Sequence, residues 1–269
     1  MKYSFMSFSS VEADLSKLIL LAKEYGYHGI ELRVGSGHSH GVDINMSEKK
    51  ISDIKKMFDK ENISVSCIAT SCIMHGFTDK MKNIEDAKKS IDLAYGLNAP
   101  VIRVFGGAYP DNKTREEAES SLAETLSEIA EYAEKKQVTV CLETHDAWTN
   151  PNHVVNVLEK VNSPYVAANW DILHPVRQDG MSIEESYEII KKWIKHVHIH
   201  DADLSTGKSA FVPIGTGNVN HKKAISLLTK DGYSGYLSGE WIGWEPAEIH
   251  LPREIETMKK YEKQIGGNL

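Results

Sequence analysis

Cysteine is scarce: Cys67, Cys72 and Cys141 are the only three in 269 residues. They are too few and too irregularly spaced for a disulfide framework or a zinc knuckle, and they read as buried thiols. No stretch approaches the roughly eighteen consecutive apolar residues of a membrane-spanning helix. The opening MKYSFMSFSS lacks the apolar core and small-residue cleavage site of a secretory leader. A soluble, cytoplasmic protein is therefore expected, with no membrane partner. No Pro/Gly/Ser-rich tract, low-complexity run or solenoid repeat interrupts the chain, so one domain spanning residues 1–269 is expected rather than two. A basic surplus is also missing. The formal net charge of -7 argues against a nucleic-acid partner, because phosphate-backbone binders present a basic face.

What the chain does have is alternation. Short β-rich runs (KYSFMSF, GIELRVG, SVSCIAT, VIRVFGG, TVCLETH, VAANWDI, KHVHIHD and YLSGEWI) are each followed by a segment long enough for a helix. Repeated βα units predict a parallel sheet, and eight of them predict a closed α/β fold, a single (β/α)8 TIM barrel, for which this length is ordinary. The helical segments agree. MSEKKISDIKKMFDKEN puts Ile51, Ile54, Met57 and Phe58 on one face with lysines opposite, and TREEAESSLAETLSEIAEYAEKK does the same with Leu122, Leu126 and Ile129. Their charge runs are solvated faces, and Met57 and Met258 are core filling.

Side chains alternate between strand faces, so the apolar set marks the face toward the helices and the rest faces the barrel interior. In TVCLETH, Val140 and Leu142 face out while Cys141, Glu143 and His145 face in. In VAANWDI, Asn169 and Asp171 are left inside. In KHVHIHD, Val197 and Ile199 face out, so His196, His198 and His200 line the interior. In YLSGEWI, Leu237 and Trp241 face out and Glu240 turns in. Four consecutive strands thus aim Glu, Asp, His and Glu at the C-terminal end of the barrel, where such barrels carry their active sites. Buried carboxylates are costly unless paired, protonated or bound to a cation. Two glutamates, an aspartate and an imidazole suit one divalent ion, Mn2+ favoured, with Mg2+, Co2+ or Zn2+ as alternatives. The competing account is an ion-pair network without metal. The same parity turns Glu31, Arg33 and Arg103 inward, and an ion pair between Glu31 and Arg103 is expected, leaving Glu31 outside the main site.

GIELR, RVFGG, CLETH, NWDILHP, KHVHIHDAD, VPIGTGNV and SGEW, in this order, resemble the xylose isomerase-like TIM-barrel superfamily. That superfamily holds sugar isomerases and epimerases as well as zinc endonucleases acting on abasic DNA, and the resemblance covers essentially the whole chain. It implies metal ligands at Glu143, Asp171, His198 and Glu240, with Glu143 and Glu240 as the catalytic proton-transfer pair. His200 becomes a substrate or ligand-supporting contact, and His196 a lower interior residue. His174, in DILHP, is expected to hydrogen-bond a substrate oxygen.

The departures narrow the function. The endonuclease pattern requires histidines that FGGAYP and the SAF run lack, and His75 is at most a remnant of that pattern. Where ketose 3-epimerases carry an arginine after the HxH motif, HIHDADLS offers Asp201 and Asp203, and Asp201 is expected to contact substrate. The resulting expectation is a divalent-metal-dependent isomerase or epimerase acting on a small carbohydrate or related substrate through an enediolate. A lyase of the 3-dehydroshikimate dehydratase type is the alternative, with a non-catalytic sugar-binding barrel or a nuclease behind it. The Gly-rich loop GSGHSHG, with His38 and His40, reads as a lid or as exposed polarity. Trp241 reads as core, Trp244 as a wall of the pocket, and Lys208 and Arg177 as loop cations able to meet an anion. A homo-oligomer is left open.

Overall fold

The computed structural model describes residues 1–205 and 210–266. The strands are β1 (Lys2–Met6), β2 (Gly29–Arg33), β3 (Ser64–Ile73), β4 (Val101–Phe105), β5 (Thr139–Glu143), β6 (Val166–Asp171), β7 (Ile194–Ile199), β8 (Asp201–Asp203), β9 (Ala210–Val212) and β10 (Tyr236–Gly239). Eight of them close a barrel in the order β1, β10, β7, β6, β5, β4, β3, β2, each neighbouring pair parallel. This is the expected (β/α)8 architecture. The surrounding helices are α1 (Leu15–Tyr25), α2 (Glu48–Glu61), α3 (Lys80–Gly96), α4 (Arg115–Lys136), α5 (Pro151–Val161), α6 (Leu173–Asp179), α7 (Ile183–Ile190), α8 (His221–Lys230) and α9 (Ala247–Gly266). Among the described residues no helix is long and apolar enough to cross a membrane.

Local chemistry sets the helix ends. A reciprocal capping box between Thr114 and Glu117 starts α4, and Gln137, in the left-handed region at φ 55°, stops it. Ser47 caps α2 and Asn62 ends it in the same left-handed conformation. The buried face of α2 is Ile54 and Phe58, with Ile51 and Met57 packed at its margin.

The parity argument describes the core. Val140, Leu142, Trp170, Val197, Ile199, Leu237 and Trp241 are buried between barrel and helices, each such side chain adding about 1.5–3 kcal/mol. Inside the barrel, Cys67, Val101, Cys141 and Ala167 form a separate apolar cluster, which gives two of the three buried free cysteines their place. On their strands Val101, Cys141 and Ala167 precede Arg103, Glu143 and Asn169, so this cluster floors the interior beneath a polar upper half.

One element is absent from the sequence pattern. KHVHIHD is not one strand: β7 ends at Ile199, and Asp201 opens the two-stranded antiparallel ribbon β8–β9. The ribbon inserts at the C-terminal end of β7, before α8.

Candidate active site

Glu143 and Asp171 are the last residues of β5 and β6, His198 lies in β7, and Glu240 follows β10. One ligand atom from each lies within 4.8 Å of the others. His198 Nδ1 is 2.9 Å from Glu143 Oε1 and 3.4 Å from Glu240 Oε2. Its Nε2 lies 3.0 Å from Glu31 Oε1. Because a carboxylate can only accept, Nε2 donates to Glu31 and Nδ1, as the ring stands here, to Glu143; a cation held by the carboxylates would take the place of the Nδ1 proton and leave that nitrogen as a ligand.

Two buried oxygens of this group, Glu143 Oε2 and Asp171 Oδ2, have no hydrogen-bond donor. Arg103 Nε approaches Glu143 Oε2 to 3.3 Å, and His200 Nε2 approaches Asp171 Oδ2 to 3.1 Å. Both are ion-pair distances without hydrogen-bond alignment. Burial alone would raise the Glu240 carboxyl, but His198 first, then Arg103 and His200, together hold it down to about 2. Burial likewise disfavours charge on His198, yet Glu31, Glu143 and Glu240 together push it well above the ordinary imidazole range. Three carboxylates around one nitrogen, two of their oxygens lacking donors, fit a hard divalent cation.

The expected Glu31–Arg103 pair does not form. Glu31 instead accepts from His196 at 2.8 Å as well as from His198. Arg103 turns to Glu143, donates through Nη1 to the Thr70 carbonyl at 3.0 Å, and lies over the Phe105 ring. Parity fixed the face of each side chain but not which ones meet across the interior. The two alternate histidines of β7 reach Glu31 first, and it becomes the group that orients His198.

Above the four residues opens a cavity of about 340 Å³. Its polar wall includes Arg33, Arg103, Arg177, His145, His174, His200 and Glu240, and its apolar wall includes Phe8, Phe105, Phe211 and Ile242. His200 Nδ1 donates to the Glu240 carbonyl at 2.8 Å. His174 Nδ1 accepts from Arg177 Nη2 at 3.0 Å, and its Nε2 is 3.8 Å from Asp171 Oδ2. Both histidines are therefore at the cavity, as expected of substrate contacts.

Asp201 is not. It is fully buried, and it does not line the cavity. Its Oδ1 accepts from the backbone N–H groups of Ala202 and Val219 at 2.9 and 3.1 Å, and its Oδ2 from Gly215 and Gly217 at 2.9 and 3.0 Å. The carboxylate is saturated and folds the VPIGTGNV segment onto the ribbon. A Cβ at Gly217 would stand 2.4 Å from Asp201 Oδ1, which is why glycine is required there.

A family model described as a xylose isomerase-like TIM barrel matches residues 19–261. The chain belongs to this family. One relative, the fructoselysine 3-epimerase of Shigella flexneri, is 26% identical over 239 residues, covering 82% of this chain and 83% of its own. A solved structure of AsbF, a probable 3-DHS dehydratase from Bacillus anthracis, superposes with a TM-score of 0.81 at 21% identity, covering 96% of this chain and 99% of that one. The IOLI protein, solved with a bound zinc atom, gives 0.81 at 21% identity over 100% and 99%. At these identities the two structures speak for the fold.

In this xylose isomerase-like barrel the remaining sequence candidates fall as follows. Trp241 is fully buried with Trp244 stacked on it, and neither lines the cavity. The GSGHSHG histidines are internal ties rather than exposed polarity: His38 Nδ1 meets Ser7 Oγ at 3.0 Å, and His40 Nε2 donates to the Arg33 carbonyl at 3.1 Å. His75 is buried, its Nδ1 accepting from the Phe77 N–H. Lys208 lies outside the described residues. Arg33 carried a signal in its inward parity, but Phe8 and Phe211 carried none, because they reach the cavity from the short 3-10 turn after β1 and from the ribbon.

Proposed function

We propose that the chain is a divalent-metal-dependent epimerase or isomerase of a small sugar-like ketone or aldehyde, working by proton transfer beside the carbonyl. The observation that carries this is the convergence of Glu143 and Glu240 on one nitrogen of His198, with Glu240 also facing the cavity. A cation held by Glu143, Asp171, His198 and Glu240, for which we favour Mn2+, would polarise the substrate C=O and stabilise the charge of the enediolate as a Lewis acid.

The chain's own residues do the rest. The Glu240 carboxylate removes the proton from the carbon next to the carbonyl, becoming the carboxylic acid while the C–H electrons pass into the enediolate. Glu143, three strands away around the barrel, enters this step as the carboxylic acid and gives up its proton, and exchange with solvent resets the pair. Return to the opposite face of the same carbon inverts it, and return to the neighbouring carbon isomerises. His174 donates from Nε2 to the oxygen on which charge develops, and Phe8, Phe105 and Ile242 exclude water from the reacting carbons.

A dehydratase would begin with the same proton abstraction, and the fold shared with AsbF keeps that as the second reading. Incubation with ketoses, aldoses, cyclitol ketones and 3-dehydroshikimate in D2O with Mn2+ separates the two. Deuterium in recovered sugar supports the epimerase or isomerase, and loss of water marks the lyase. Neither exchange nor loss of water with any of these substrates would overturn both.

A further inference from the structure

Two guanidiniums on the cavity wall, Arg33 and Arg177, have no carboxylate partner among the described residues. Their strands, β2 and the β6 that leads into α6, are diametrically opposed in the barrel order. Arg177 is exposed and is engaged with His174. Arg33 is half-buried and built in: Nη1 donates to the carbonyls of Val34 and Ala69, and Nη2 donates to Ser71 Oγ at 2.6 Å. These bonds leave the Nε–H and one Nη2–H without an acceptor among the described residues. Nε and Nη2 form one edge of the guanidinium, the fork that matches two oxygens of a carboxylate or phosphate.

The surroundings sharpen this. Arg103 is neutralised by Glu143 at 3.3 Å. With a divalent cation among the three carboxylates and Arg103 beside them, these charges balance, and the remaining carboxylate, Glu31, is taken up below by His196 and His198, so none forms an ion pair with Arg33. The nearby wall, Phe8, Phe105 and Ile242, has no acceptors in its side chains. A half-buried cation left without a counter-ion is costly, and burial, with Arg103 nearby, holds the Arg33 guanidinium down to about 10.

We propose that Arg33 anchors an oxyanion of the substrate, a terminal carboxylate or a phosphate monoester, so that the substrate is a keto sugar acid or sugar phosphate rather than a neutral sugar. The inference rests on the proposed function only in placing the reacting carbons over Glu240. It names the end of the substrate that lies away from them.

The test is direct binding by calorimetry in the presence of Mn2+, with fructose, fructose 6-phosphate and a 5-keto-hexonate as probes. In the wild type at least one anionic probe should bind about tenfold or more tighter than fructose, the scale of a charge-assisted hydrogen-bonded pair. Which of the two gains identifies carboxylate or phosphate as the source. Arg33→Gln should erase that gain while changing fructose affinity less than about threefold, and Arg33→Lys should keep a part of it, since it supplies charge without the fork. Equal affinity for all three probes in the wild type would overturn the proposal, as would a gain that survives Arg33→Gln. If Arg33→Gln does not fold, Arg33→Lys and the salt dependence of the wild-type gain decide: a gain that does not fall with added salt overturns it. Anion binding through Arg33 without deuterium exchange would sink the proposed chemistry and leave the anchor standing. Exchange on neutral sugars bound as well as anions would do the reverse.

Discussion

An arginine can only donate, so the contact from Arg177 Nη2 to His174 Nδ1 keeps the His174 proton on Nε2, the nitrogen facing Asp171 and the cavity. This has two consequences for chemistry. In the proposed chemistry His174 thereby acts as a hydrogen-bond donor to substrate and not as a ligand for a second cation, although Asp171, His174 and His200 lie close enough together to suggest one. Removing Arg177 should also release the tautomer. Arg177→Ala is expected to lower kcat by about tenfold with a smaller effect on KM, the loss of a donor aimed at developing charge. The ring 15N shifts of His174 should show a protonated Nε2 in the wild type and a mixture in the variant; a protonated Nδ1 in the wild type would refute the assignment. Glu240→Gln tests the other half of the site. The amide keeps an oxygen for coordination but has lost its base, so turnover should fall by at least about a hundredfold, since general-base catalysis contributes 10²–10⁴-fold. Recovery of near wild-type rates at saturating metal would make Glu240 a ligand alone.

Elements that join the strands carry what single residues cannot. Asp201 gathers four N–H groups from β8 and the segment ending at Val219. Asp201→Asn replaces one accepting oxygen by a donor facing donors, and should cost about 3 kcal/mol in urea unfolding because buried N–H groups lose their acceptor. Substrate affinity should stay within about twofold; a selective rise in KM with unchanged stability would restore the substrate role. The loop between β2 and α2 gives a pH signature. His40 donates from Nε2 to the Arg33 carbonyl and accepts at Nδ1 from the Val42 N–H, so protonating Nδ1 sets donor against donor. Burial first, then the neighbouring His38, holds its pKa down to about 4 from an ordinary 6.5. The unfolded chain therefore takes up a proton between pH 6.5 and 4 that the folded chain refuses, and stability falls as pH drops through that window. His38, also lowered by burial, acts in the same direction. The slope of stability against pH should be shallower in His40→Gln than in the wild type, and equal slopes would remove His40 from the account. These elements also mark where the sequence stopped being legible. Alternation located the eight strands and put Glu143, Asp171, His198 and Glu240 on one face, because a period of two survives any register. It failed at Asp201, where the chain leaves β7 for a ribbon and the carboxylate is taken up by the segment that follows that ribbon. It also failed for Glu31, whose partners are set by which side chains meet across the closed interior.

At the scale of the whole barrel, the four converging residues come from β5, β6, β7 and β10, which are contiguous around the sheet. Whatever neutralises their carboxylates therefore ties together half of the closed barrel, and its effect on stability should be global rather than confined to a loop. Two accounts compete. In one, a doubly protonated His198 sits between Glu31 and Glu143, and the network is complete without metal. In the other, Nδ1 is unprotonated and a divalent cation binds the folded chain only. Ligand that binds only the native state stabilises it by about 2.7 kcal/mol at a hundred times its Kd, and for a chain of this size that is a rise of roughly 5–10 °C in Tm. Adding Mn2+ to chelator-treated protein should thus raise Tm by that amount in a single transition, and the rise should grow with the logarithm of metal concentration. EDTA should reverse it. Asp171→Asn should shift the whole dependence to higher metal concentration, because one of the carboxylates is neutralised while the fold around it is kept. If Mn2+, Mg2+, Co2+ and Zn2+ all leave Tm unchanged, the charges are satisfied by His198 and Arg103 alone, and the barrel's mouth is an ion-pair network.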